Sequence, residues 1–118
     1  MPAGKLTTHV LDTAHGCPAG GMDITLARLN GDTAQRLATF TTNADGRLDG
    51  PALQGEAIQA GLYQLTFGVA DYFTSRKHPD AGRFLATVPL VFNIEDVDAH
   101  YHVPLLVSPW SYSTYRGS

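Results

Sequence analysis

Cysteine is almost missing from this chain: Cys17 is the only one in 118 residues, so no intrachain disulfide can form and stability must come from packing. A single thiol in a Gly-Cys-Pro setting reads as a loop or buried sulfhydryl, and a reducing compartment is compatible with it. Charge is also scarce. Eight Lys and Arg against eleven Asp and Glu give a net charge of −3, and no basic cluster supplies the positive surface that phosphate neutralisation needs. Nucleic acid is therefore not an expected partner. No run approaches the roughly 18 apolar residues of a spanning helix, so no membrane partner is expected either. The opening Met1-Pro2-Ala3-Gly4-Lys5 has no apolar stretch that suits a signal peptide, and Arg116-Gly117-Ser118 is not a peroxisomal address. The default expectation is a cytoplasmic protein. Also missing are a Gly-x-Ser-x-Gly elbow, a phosphate-binding glycine loop and a His-Glu-x-x-His pair, which disfavours covalent and zincin-type catalysis.

What is present is a clear period of two. Tyr63, Leu65, Phe67 and Val69 alternate with Gln64, Thr66 and Gly68, and Val88, Leu90, Phe92 and Ile94 alternate with Thr87, Pro89, Val91 and Asn93. Tyr101, Val103, Leu105 and Val107 form another apolar face. Weaker alternation marks strands over 6–11, 22–29 and 37–42, and a last strand over 111–116 follows the Ser108-Pro109 break. Turn signals lie between them at 16–21, Asn30-Gly31-Asp32, Asp45-Gly46, Asp49-Gly50-Pro51 and Gly61. Residues 71–77 lack the period of two and read as a short helix with Asp71 as a possible N-cap and Pro79 beyond its end. A chain of this length fits one domain over 1–118, and the pattern predicts an all-β sandwich with one short helix. Its 16% charged content leaves room for a surface buried in an oligomer.

Strand parity singles out the polar residues of interest, because residues two apart share a face. Leu6 and Val10 point inward, so Thr7, His9 and Leu11 face away; Tyr101, Val103, Leu105 and Val107 point inward, so His100, His102, Pro104 and Leu106 face away. A lone outward histidine is ordinarily a surface residue. Two of them beside Leu11, Pro104 and Leu106, on a second apolar face, suggest a pocket or a partner. His100-x-His102 also has a spacing that allows two imidazoles on one zinc ion, with His9 as the third ligand if it comes near enough, a weak signal without a cysteine cluster. Arg47 follows Asp45-Gly46, a dipeptide suited to a tight turn with positive φ, and it offers a planar cationic fork to an anionic or carbonyl-rich ligand. The remaining chemistry is histidine acting on water near neutral pH.

Four segments together resemble the transthyretin-like 5-hydroxyisourate hydrolases: Leu6-Thr7-Thr8-His9-Val10-Leu11-Asp12, Asp45-Gly46-Arg47, the stretch from Tyr101-His102-Val103-Pro104 to Pro109, and the ending Tyr115-Arg116-Gly117-Ser118. The resemblance implies a transthyretin-like (prealbumin-like) sandwich of two four-stranded antiparallel sheets with one short helix, assembled as a homotetramer. It implies a small-molecule substrate, 5-hydroxyisourate, whose ring is opened by water to 2-oxo-4-hydroxy-4-carboxy-5-ureidoimidazoline in urate breakdown, with no metal or organic cofactor. By the same resemblance His9, Arg47, His102 and Ser118 are catalytic, Ser118 through its terminal carboxylate, while His9, Arg47 and Tyr115 bind substrate. Either histidine can serve as the base. The rival readings are a non-catalytic carrier of small aromatic ligands and an adhesion-type sandwich, and His9, Arg47 and His102 favour the hydrolase over both.

Overall fold

The computed structural model describes residues 3–117. Nine strands and one α-helix follow in the order β1 (Lys5–Asp12), β2 (Cys17–Pro18), β3 (Asp23–Asn30), β4 (Thr33–Thr41), β5 (Leu53–Gln54), β6 (Gly61–Phe67), α1 (Val69–Ser75), β7 (Val88–Ile94), β8 (His100–Val107) and β9 (Tyr112–Thr114), with a 3-10 turn over Gly55–Ala57. One sheet runs β4-β3-β6-β7; the other runs β2-β1-β8-β9, with β5 also paired to β1. The expected two-sheet sandwich is present.

One pair departs from the antiparallel expectation. β1 and β8 are parallel, from Lys5 opposite His100 to Asp12 opposite Val107, so the sheet that carries the histidines is mixed. Alternation of apolar residues specifies a face but not a neighbour's direction, and a parallel pair needs the long crossover that the intervening chain supplies. The two-residue strands β2 and β5 escape periodicity because they are too short to show it.

Burial follows the predicted parity. Along β1, Leu6, Thr8, Val10 and Asp12 are buried while Thr7, His9 and Leu11 are half-exposed. Leu6, Val10, Leu105 and Val107 of one sheet meet Ile24, Leu26, Leu65, Phe67, Val88 and Ile94 of the other in a single core cluster. Each such side chain stabilises the fold by roughly 1.5 to 3 kcal/mol. Among the described residues no helix is long and apolar enough to cross a membrane.

The helix begins two residues before its expected start. Gly68 is the N-cap and Asp71 lies in the first turn without a side-chain capping bond, so Asp71 acts by its charge near the helix N-terminus. Val69, Tyr72 and Phe73 are buried and seat the helix on the core. Buried Asp12 ties it to the end of β1: its carboxylate accepts from the backbone N–H of Ala14 and His15, from His15 Nδ1 at 2.6 Å and from the Tyr72 hydroxyl at 2.8 Å. Burial alone would raise the Asp12 pKa; the bonds from His15 and Tyr72 more than offset it and hold the carboxyl below its usual range. Burial and the adjacent carboxylate push the Tyr72 phenol well up.

Candidate active site

The outward face of β1 and β8 carries the histidines. In their register Thr7 lies opposite His102 and His9 opposite Pro104, so the two histidines are diagonal rather than direct neighbours. His9, His100 and His102 are all half-buried. The Thr7 hydroxyl sits between two rings, 2.8 Å from His102 Nδ1 and 2.7 Å from His100 Nε2. Each of the two imidazoles of the His100-x-His102 pair thus has one nitrogen engaged by a threonine.

Arg47 reaches this face from the other side of β1. The turn after β4 is built by Asn43, whose Oδ1 accepts from the backbone N–H of Asp45 and Arg47. Gly46 adopts φ 75°, as the Asp-Gly dipeptide predicts, and a Cβ there would stand 2.3 Å from the Val10 carbonyl oxygen. Only glycine lets the turn approach so closely. Val10 N–H donates to Gly46 O, and His9 and Arg47 form an antiparallel bridge. His9 Nε2 in turn donates to the Asp45 carbonyl oxygen at 2.9 Å. The Arg47 residue is exposed, and among the described residues its guanidinium forms no ion pair. A hollow of 210 Å³ adjoins it, lined by Lys5, Thr7, Arg47, Leu48 and Pro51 among others.

Electrostatics separates His102 from the other groups. Burial first, then the positive Arg47 guanidinium and the His100 and His9 imidazoles, hold its pKa below the ordinary histidine value of 6.5. It is therefore neutral, with one ring nitrogen able to accept a proton, at neutral pH.

The chain's end returns to the same place. Thr114 pairs with Leu105 in β8, and Gly117 bridges His102 with its N–H on the His102 carbonyl at 2.8 Å. The unbroken register places Tyr115 opposite Pro104, on the histidine side by parity. Tyr115 is exposed and has no hydrogen bond to His9, Arg47 or His102. It also borders a larger, mostly apolar cavity of 280 Å³ beside Leu90, Phe92 and Val103, away from the imidazoles. Asn93, Thr114 and Arg116 also line that cavity, and no histidine does. Arg116 lies over the Tyr101 ring and donates to the His100 carbonyl. Ser118, expected to contribute its carboxylate, lies outside the described residues.

Residues 6–117 match the family model described as HIUase/Transthyretin family. The chain belongs to this family. A protein of Pseudomonas aeruginosa named 5-hydroxyisourate hydrolase is 55% identical, over 100% of this chain and 94% of its own length. The solved structure of Klebsiella pneumoniae 5-hydroxyisourate hydrolase superposes with a TM-score of 0.81 at 33% identity, covering 98% of this chain and 99% of that one. The solved structure of (S)-allantoin synthase gives a TM-score of 0.92 at 53% identity over 98% of this chain, which spans only 44% of that longer protein. The transthyretin-like sandwich expected from the sequence is thus the fold of the family. Sequence reasoning placed Thr7 and His100 on the histidine face, with no role for Thr7 and only a weak metal-ligand reading for His100. It missed the close approach of Gly117 to His102, which no local pattern signals.

Proposed function

We propose that this chain is a hydrolase domain that opens the ring of 5-hydroxyisourate with water, yielding 2-oxo-4-hydroxy-4-carboxy-5-ureidoimidazoline in urate breakdown. One observation carries the reading: His9, His102 and the Arg47 turn share one face of the β1–β8 pair, in a chain 55% identical to a protein named 5-hydroxyisourate hydrolase. A carrier of aromatic ligands has no need of two imidazoles and a guanidinium grouped in this way.

In this reading an imidazole removes a proton from water, the water oxygen bonds to a ring carbonyl carbon, and the carbonyl becomes an oxyanion. Arg47 stabilises that developing charge as a cation facing it. The C–N bond then breaks as the leaving nitrogen takes up the proton, and the ring opens. Tyr115, on the same side by parity, binds substrate at the mouth of the site. The outward apolar residues Leu11 and Leu106 fit a face covered by another subunit in a homotetramer, and the setting is the cytoplasm.

The test generates 5-hydroxyisourate in place from urate with urate oxidase and follows its loss by ultraviolet absorbance and circular dichroism. The chain accelerates the loss with a transient optically active product, and His9→Ala and His102→Ala each lower turnover by roughly 10² to 10⁴-fold. Decay at the spontaneous rate in the presence of folded protein overturns the function; near-normal turnover in both variants overturns the site.

A further inference from the structure

We propose that Thr7 is a positioning residue for His102, holding it in the Nδ1–H tautomer with Nε2 bare, and that His100 sets the direction of the Thr7 hydroxyl. The inference rests on the hydrolase reading and deepens it by naming His102 as the general base.

The argument is a proton count. A threonine hydroxyl has one proton and two lone pairs, and here its oxygen meets two imidazole nitrogens, His102 Nδ1 at 2.8 Å and His100 Nε2 at 2.7 Å. If the hydroxyl donates to His100 Nε2, its lone pair must accept from His102 Nδ1–H, and His102 Nε2 is left free to take a proton from water. If instead it donated to His102 Nδ1, the His102 proton would sit on Nε2 and the base would be blocked. With the His100 proton on Nδ1 its Nε2 is bare and the first arrangement holds, so the second imidazole decides the state of the first; the engagement of His9 Nε2 by the Asp45 carbonyl leaves the base to His102 and favours this arrangement. When His102 then accepts a proton on Nε2, water loses it and its oxygen keeps the electron pair for the carbonyl. The Nδ1–H bond to Thr7 persists and supports the new positive charge.

Three further observations agree. His9 cannot offer Nε2 as a base, because that nitrogen faces the Asp45 carbonyl oxygen, which only accepts, and so must hold a proton. Thr7 lies directly opposite His102 in the register, so the bond is set by two strands rather than by loops. Its side chain points away from the core, where Leu6 and Thr8 on either side are buried, so packing gives no reason for the geometry.

The experiment joins a spectroscopic and a kinetic readout. Long-range ¹H–¹⁵N correlation of the histidine rings should show His102 as the Nδ1–H tautomer in the unaltered chain and a shift toward Nε2–H in Thr7→Val. In the ring-opening assay Thr7→Val should lower kcat by roughly 10²-fold, the scale of a misplaced catalytic group, with KM changed less than about twofold. Thr7→Ser, which keeps the hydroxyl, should recover most of kcat. His100→Phe, which removes the acceptor, should shift the His102 tautomer in the same direction and decides the matter if Thr7→Val fails to fold. An Nε2–H form of His102 in the unaltered chain overturns the proposal, as does unchanged kcat in Thr7→Val. The tautomer is read without substrate, so a chain inactive on 5-hydroxyisourate defeats the hydrolase reading and leaves the ring assignment to be judged on its own spectrum.

Discussion

Replacing Gly117 by alanine tests whether the tail shapes the site. A Cβ at Gly117 would stand 2.6 Å from His102 Cδ2 and 3.2 Å from its Cβ and Cγ, where ordinary contact begins at 3.4 Å. The contact is with the body of the ring, and the ring is held at Nδ1 by Thr7, so it cannot rotate aside without losing that bond. The tail cannot withdraw without stretching the 2.8 Å bond from Gly117 N–H to the His102 carbonyl. Either the imidazole or the tail must move by close to 1 Å, and a displacement of that size at a catalytic group lowers the rate by roughly 10²-fold. The stability loss is small by comparison, about 1 kcal/mol for one hydrogen bond at a chain end. Gly117→Ala should therefore unfold within a few degrees of the parent, by about that reasoning, while kcat in the coupled urate oxidase assay falls about a hundredfold. A variant with kcat within about twofold of the parent would show that the ring tolerates the methyl group and refute the steric argument.

Two other expectations concern pH. Because burial, Arg47 and the neighbouring imidazoles hold His102 below 6.5, its neutral form persists into mild acid and the acid limb of kcat lies below that value. Arg47→Met removes a positive neighbour, so besides lowering kcat it should move the limb upward toward 6.5; a limb that stays in place or moves down contradicts the assignment. The same depression makes the unfolded chain the better proton acceptor, so this histidine subtracts stability as pH falls from 6.5 through its folded value. Asp12→Ala leaves the Tyr72 hydroxyl and two backbone N–H groups without their carboxylate, and should destabilise by about 3 kcal/mol in thermal or denaturant unfolding at neutral pH. The Asp12 pKa is depressed, so its contribution is present above 3.8 and is lost as pH drops through the folded value. The gap between parent and variant should thus close in strong acid, and a gap that widens there would be the contrary result.

Much of this protein was legible locally. The period of two located the strands, and Val88–Ile94 matches its apolar run from end to end. Parity put Thr7, His9, His100 and His102 on the outward face because a side chain's face in a strand depends only on its own position in the pleat. Asp45-Gly46 announced a positive φ because few residues other than glycine tolerate it. The start of the helix was misplaced because Gly68 caps it without any side-chain signal, so the eye falls on Asp71.

Tertiary structure decided which of those residues meet. That β8 lies beside β1, and parallel to it, joins segments more than ninety positions apart, and sheet order depends on crossovers and core packing that no local pattern encodes. That adjacency makes the Thr7 bridge between His100 and His102; two further long-range pairings, the Arg47 turn along the far side of β1 and the tail along β8, bring in Arg47 and set Gly117 against the His102 ring. Residue types and their faces are properties of the chain; the hydrogen-bonded row of two imidazoles and a hydroxyl exists only once the sheet has formed.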